Sequence, residues 1–139
     1  MKSLSAKSAD IIIVDDDNDD LFFMNYAFSQ LPFDLNVLTV SDAREALAYL
    51  HECQHLPSLI LTDLNMPCLN GIELVNLIKR SSNHRVIPVV VLTTSPAEED
   101  RERCYLAGAN AILVKPNQLS KMTELLYSCI QVWLGSNKN

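Results

Sequence analysis

Cysteine chemistry is the first thing this chain lacks. Its four cysteines, at positions 53, 68, 104 and 129, include no Cys-x-x-Cys pair and none of the spacing that staples small secreted domains. A disulfide scaffold is excluded, and a reduced, cytoplasmic setting is expected. No apolar run approaches the roughly 18 residues that span a bilayer. The polar start from Met1 to Asp10, with Lys2 and Lys7, has no leader-like apolar stretch, so neither secretion nor membrane insertion is expected. Basic residues are also scarce, 11 against 17 acids for a net charge of -6, and no basic patch is hidden among them. Such a chain repels phosphate backbones, which argues against direct nucleic-acid binding. Charged residues make up only 20% and hydrophobic ones 48%, which excludes disorder and demands a buried core. There is no internal repeat, linker or low-complexity tract, and 139 residues suit one domain. No effector segment is expected to follow, so any output should pass through protein contacts.

What the chain does have is a local excess of acid. Asp15, Asp16, Asp17, Asp19 and Asp20 are five of the 17 acids, leaving 12 acids to face 11 bases elsewhere. The charge is a property of one window.

Apolar runs of strand length alternate with segments of helical period. The expected strands are Ile11 to Val14, Leu35 to Val40, Leu59 to Thr62, Val86 to Leu92 and Ala111 to Val114. Runs apolar at every position suggest strands covered on both faces. The first helix is expected from about Asp19 to Leu31. Later helices carry start signals at Asp42 with Glu45, at Asn70 with Glu73, and at Ser95-Pro96 with Glu98, and Gly108 stops the fourth. The last should run from about Gln118 to Leu134, with Leu119, Met122, Leu126, Cys129, Ile130 and Trp133 on one apolar stripe. Five such units predict an α/β domain with a parallel sheet, right-handed crossovers and helices on both faces. Ligands bind beyond the carboxyl ends of such strands.

The residues at those ends are chemically coherent. After the first strand come Asp15, Asp16 and Asp17; after the third, Asp63; after the fourth, Thr93, Thr94 and Ser95; after the fifth, Lys115 and Pro116. Taken singly, each has a plain structural reading: helix-start acids, a loop cap, a strand-end hydroxyl, an exposed lysine. Four polar sets after four buried strands are better explained as one site. Carboxylates crowded at one edge repel one another, and a hard cation with oxygen ligands, Mg²⁺ best of all, relieves them. A lysine and a hydroxyl at the same edge suit the oxygens of a phosphoryl group.

These residues resemble, in order and over nearly the whole chain, the receiver domain of two-component response regulators. The matching segments are Val14-Asp15-Asp16, Asp63-Leu64-Asn65-Met66-Pro67 with Asn70-Gly71, Pro88 to Thr94, and Ala107-Gly108-Ala109 leading to Lys115-Pro116. Within that family, Leu64 to Pro67, Thr93-Thr94-Ser95, Trp133-Leu134 and the short Asn-terminated ending resemble the single-domain regulators that partner phytochrome kinases. The resemblance implies a doubly wound, flavodoxin-like (βα)5 sheet of order 2-1-3-4-5.

It also implies roles. Asp63 would accept a phosphoryl group from a phosphohistidine of a sensor histidine kinase, or of a histidine phosphotransfer protein. Asp16 and Asp63 would ligate Mg²⁺ directly, Asp15 through water and Asn65 through its backbone carbonyl, with Asp17 the competing choice for Asp16. Lys115 would clamp the transferring group, Thr93 would bond a phosphoryl oxygen afterwards and shift a two-state equilibrium, and Thr94 would control the approach of water. Lys115-Pro116 is expected to be cis, as in the family. Two positions depart from the pattern: Ile112 stands where the family has an inward-turning aromatic residue, and Asn117 where Phe is frequent. Tyr105, on the fourth helix, is the nearby aromatic.

Other readings fit less well. The Asp-x-Asp of haloacid-dehalogenase-like phosphatases matches Asp15-Asp16-Asp17, but Asp19 stands where Thr or Val is wanted, only Glu124 remains for an acidic pair after the lysine, and Asp63 goes unexplained. An EF-hand would need Gly at Asp20 and Glu at Tyr26. His51 and His55 lack a second pair of zinc ligands. A phosphate shuttle or sink in a multi-step relay stays open beside a target-binding regulator, and a non-phosphorylated scaffold should lack Asp63 or Lys115. Asp17, Asp19 and Asp20 exceed what the site needs and read as helix-start acids, one of which could assist through water. Phe22, Phe23 and Tyr26 suggest a kinase-facing first helix or wider burial. Leu125, Val132 and Leu134, off the core stripe, suggest with the fourth helix and fifth strand a homodimer face. The expected organisation is a tail over 1–9, the receiver over 10–135 and a tail over 136–139.

Overall fold

A computed structural model describes residues 8–94 and 97–135. Five strands and five helices alternate: β1 Ile11–Val14, α1 Asn18–Ser29, β2 Val37–Val40, α2 Ala43–Glu52, β3 Leu59–Asp63, α3 Gly71–Arg80, β4 Val89–Thr93, α4 Glu98–Ala107, β5 Ala111–Val114 and α5 Leu119–Cys129, with a π-helical turn at Ile130–Leu134. The sheet is parallel, in the order β2-β1-β3-β4-β5. The fold is the flavodoxin-like one that the resemblance implied.

The apolar runs explain the two-layered core. Successive strand side chains point to opposite faces, so a run such as Ile11–Val14 must be covered twice. Ile11 and Ile13 pack with Met24, Ala27 and Phe28 of α1 and with Met122 and Leu126 of α5. Ile12 and Val14 pack on the other face with Ala46 and Leu50 of α2 and with Leu74 and Ile78 of α3. All four β1 residues are fully buried, each contributing roughly 1.5–3 kcal/mol by leaving water.

Local signals set the helix ends. Asn70 and Glu73 form a reciprocal capping box at the start of α3. Asp42 caps α2 by accepting from Arg44 N–H (2.7 Å), and Gly108 closes α4 in the left-handed conformation at φ 112°. The Ser95-Pro96 start signal lies outside the described residues, as do residues 1–7 and 136–139; the described N-cap of α4 is Ala97, without a side-chain cap bond. Ala9 is buried and donates its N–H to the Tyr49 hydroxyl (2.7 Å).

Several boundaries differ from expectation. β4 begins at Val89 rather than Val86, which is 75% exposed. Pro88 has no N–H to give a ladder, and the residues before it form turns, with His84 and Arg85 donating to the Ser81 carbonyl and Ile87 to that of His84. β2 begins at Val37 because Asn36 is occupied with Asp10, whose carboxylate accepts its N–H at 2.8 Å. Leu134, placed by helical spacing off the core stripe, is buried. The π-turn winds more residues per turn and so changes which side chains face the sheet. Leu119, expected on the stripe, is 37% exposed at the helix start.

Gly71 joins fold to site. A Cβ there would fall on the Asp63 carbonyl oxygen and within 3.0 Å of Leu64 Cα, so the first turn of α3 presses directly on the end of β3. Gly71→Ala should lower unfolding stability by about 1–3 kcal/mol through overpacking. An unchanged urea midpoint at unchanged m-value would contradict this contact.

Candidate functional site

The carboxyl ends of β1, β3, β4 and β5 converge where the strand order reverses. Asp15 continues β1, its N–H donating to the Val40 carbonyl at 3.1 Å. Its side chain is fully buried, with Oδ1 accepting from Asp17 N–H at 3.0 Å and Oδ2 from Lys115 Nζ at 2.8 Å. Asp63 closes β3, and its Oδ1 lies 3.3 Å from Lys115 Nζ. Asp16 is exposed beside them, and one carboxylate oxygen from each of Asp15, Asp16 and Asp63 lies within 4.8 Å of the others. Lys115 follows β5, with its N–H donating to the Thr93 carbonyl at 2.8 Å and its side chain only 7% exposed.

The remaining candidates surround this centre. Thr93 ends β4 and is buried, one step beyond Leu92, the register partner of Asp63. Thr94 and Asn65 are exposed. Pro116 follows the lysine through a trans bond, since no peptide bond among the described residues is cis. The cis expectation is thereby corrected; trans is the intrinsically favoured form, by about 0.5–1 kcal/mol before proline. Asp17 is occupied otherwise: it is the N-cap of α1, accepting from Asp19 N–H (2.8 Å) and Asp20 N–H (3.3 Å). Ile112 is buried, and its backbone N–H donates to the Tyr105 hydroxyl at 3.2 Å, so the aromatic residue of α4 does reach the β5 edge.

One contact is absent from the sequence reading. Asp20, read there as a helix-start acid, places Oδ2 2.9 Å from Lys115 Nζ. It is the third residue of α1, one turn after Asp16, and this four-residue spacing was the available signal. A helix dipole accounts equally well for an acid at that position, which is why the spacing alone did not reveal the lysine partner.

The electrostatics follow from the count of charges. Two like charges about 5 Å apart repel by about 3 kcal/mol at an effective dielectric of 20. Burial pushes the Asp15 carboxyl up from 3.8 to about 6, against the lowering influence of Lys115 and the Asp17 N–H, with Asp63 adding to the rise. Burial also raises Asp63, opposed by Lys115 and by the Leu64 N–H and reinforced by Asp16. Burial alone would lower Lys115, but its bonds to Asp15 and Asp20 outweigh that and hold it protonated, above its ordinary range. Hard oxygen donors in excess over one ammonium fit a divalent cation of the Mg²⁺ type.

Comparison with known proteins agrees with this geometry. The response regulator receiver domain matches residues 11–127. The probable methanogenesis regulatory protein FilR2 of Methanothrix harundinacea is 36% identical, over 93% of this chain and 86% of its own. The crystal structure of the phosphorylated cyanobacterial phytochrome response regulator RcpA superposes with a TM-score of 0.83 at 32% identity, covering 94% of this chain and 96% of that one. Response regulator Rcp1 of Synechocystis is 31% identical over 89% of this chain and 88% of its own, and its Mn²⁺-bound form superposes with a TM-score of 0.79, covering 93% and 96%.

The raised Asp15 carboxyl sets a pH dependence. Its folded value lies above its ordinary one, so the folded state binds the proton more tightly, and stability is gained as pH falls through about 6 toward 3.8. In metal-free protein, the stability of the wild type relative to Asp15→Asn should rise by on the order of 1 kcal/mol between about pH 7 and pH 5. Denaturant unfolding at the two pH values checks this; a difference that stays constant or falls would contradict the assignment.

Proposed function

Because this chain belongs to the response regulator receiver domain family, we propose that it is the phosphoacceptor of a two-component phosphorelay, with Asp63 as the residue that carries the phosphoryl group. The observation that supports this best is the placement of Asp63 at a sheet edge with a buried lysine at 3.3 Å and two further carboxylates within 4.8 Å.

The chemistry is an in-line displacement. A carboxylate oxygen of Asp63 attacks the phosphorus of a phosphohistidine, the P–O bond forms as the P–N bond breaks, and the imidazole leaves on the donor protein. Asp15, Asp16 and Asp63 would hold the cation, with the Asn65 carbonyl as a further ligand. A bound Mg²⁺ supplies charge neutralisation of the phosphoryl oxygens and of the crowded acids. Lys115 orients the phosphoryl oxygens and stabilises the charge that accumulates on them during transfer. Thr93 then bonds a phosphoryl oxygen, and Thr94, exposed beside it, governs the approach of hydrolytic water. The protein thus promotes its own phosphorylation and dephosphorylation rather than turning over a separate substrate.

Asp15, the nucleophile a haloacid-dehalogenase-like reading would require, is fully buried and bonded on both oxygens. That favours the acceptor role for Asp63. The phosphodonor is a sensor histidine kinase, and the likeness to RcpA supports one of phytochrome type. On α1, Phe22 at 75% and Tyr26 at 49% exposure offer that partner an apolar contact. Tyr105 and Leu106 of α4, Val114 of β5 and Val132 are further exposed apolar residues suited to contact with a second copy or a target. The four cysteines are free, which suits a reducing cytoplasm, and no helix among the described residues is long and apolar enough to cross a membrane.

Incubation with Mg²⁺ and acetyl phosphate, followed by intact-mass measurement, should give an adduct of about 80 Da that chelation abolishes. The adduct should be absent from Asp63→Asn and form at least about ten-fold more slowly in Lys115→Ala. Labelling of Asp63→Asn at wild-type yield would place the acceptor elsewhere.

A further inference from the structure

The Lys115 ammonium has three N–H donors and meets three carboxylates, at 2.8 Å on Asp15, 2.9 Å on Asp20 and 3.3 Å on Asp63. Two of the three, Asp15 and Asp63, also belong to the oxygen set suited to a cation; Asp20 does not. Its backbone is fixed by the bond from its N–H to the N-cap Asp17, and its side chain is 35% exposed at the rim. At the far end of the contact, the lysine backbone is fixed by its bond to the Thr93 carbonyl.

From this arrangement we propose that Asp20 is a positioning residue for the phosphoryl transfer: its carboxylate holds the Lys115 ammonium so that another of its N–H groups points at Asp63 and at the oxygens of the group Asp63 receives. The inference rests on the phosphoacceptor reading and adds to it a fourth acid with a separate task. Were Asp15 and Asp63 to give oxygens to a cation, Asp20, outside that oxygen set, would be the carboxylate left to the lysine. An ammonium on a four-carbon stem is otherwise free to rotate, and a misplaced clamp loses much of its effect on the transferring group. A mere helix-start acid would interact with the α1 amides regardless of where Lys115 sits.

Asp20→Ala, Asp20→Asn and Asp20→Glu separate these roles. At saturating Mg²⁺ with acetyl phosphate as donor, Asp20→Ala should label Asp63 about ten-fold more slowly than wild type, while half-saturation by Mg²⁺, followed by titration calorimetry, stays within about three-fold. Asp20→Asn, which keeps an acceptor oxygen, should fall between Ala and wild type, and Asp20→Glu should recover part of the rate. Independently of activity, the Lys115 ammonium should give a slowly exchanging ¹⁵N-correlated NMR signal in metal-free wild type that disappears in Asp20→Ala. A labelled wild type beside an Asp20→Ala protein with unchanged rate and retained ammonium signal would overturn the inference alone. A rate loss matched by an equal loss of Mg²⁺ affinity would also overturn it, by making Asp20 part of the metal field. A wild type that does not label at Asp63 would overturn the inference and the phosphoacceptor reading together.

Discussion

A single buried ammonium shared among three carboxylates is the interaction on which the rest of this structure depends. Lys115 is bonded to Asp15, Asp20 and Asp63, and Asp16 adds a further acid without a bond to the lysine. Removing such groups from water costs several kcal/mol per ion, and one lysine cannot balance four acids. The fold tolerates the arrangement because rigid elements impose it: β1, β3 and β5 end at the same edge, and the first turn of α1 leans in beside them. Gly71 packs the start of α3 against the Asp63 carbonyl and leaves the β3 end little room to relax. The surplus of negative charge favours a hard cation at this edge.

The same edge connects the site to the exterior. The backbone of Lys115 bonds to that of Thr93, which ties the ends of β4 and β5 together. On the next turn of the sheet edge, Ile112 gives its N–H to the Tyr105 hydroxyl of α4. The aliphatic Ile112 side chain stays in the core, and an aromatic residue reaches β5 from the neighbouring helix. Tyr105 is half exposed, and Leu106 of α4 and Val114 of β5 are exposed as well. Thr93, Lys115, Ile112 and Tyr105 are thus joined by one short covalent and hydrogen-bonded path.

Much of this was legible in the residues themselves. Strands apolar at every position could only lie between two helical layers, and Ile11–Val14 does. The Asn70/Glu73 box and Gly108 marked helix ends by chemistry that needs no tertiary context. The strand order came from family resemblance, because five βα units alone do not choose it. What escaped the sequence depended on three-dimensional context. Asp20 looked like any acid at a helix start until β5 placed a lysine beside it. Leu134 looked exposed because a regular 3.6-residue period was assumed where the chain makes a π-turn. Val86 is the exception: Pro88 two residues on, which has no N–H for a ladder, was a signal in the sequence itself that the strand starts later.

If the crowded carboxylates are held for a cation, calorimetric titration of Mg²⁺ into metal-free protein across pH will show it. Since Asp15 is pushed up to about 6 and Asp63 is raised with it, binding should release protons to the buffer near pH 6, and affinity should rise by about ten-fold between pH 5.5 and pH 8. Replacing Asp16 with Ala should weaken binding by about ten-fold or more at every pH. Mg²⁺ binding that is indifferent both to pH and to the loss of Asp16 would mean that these carboxylates do not hold the cation.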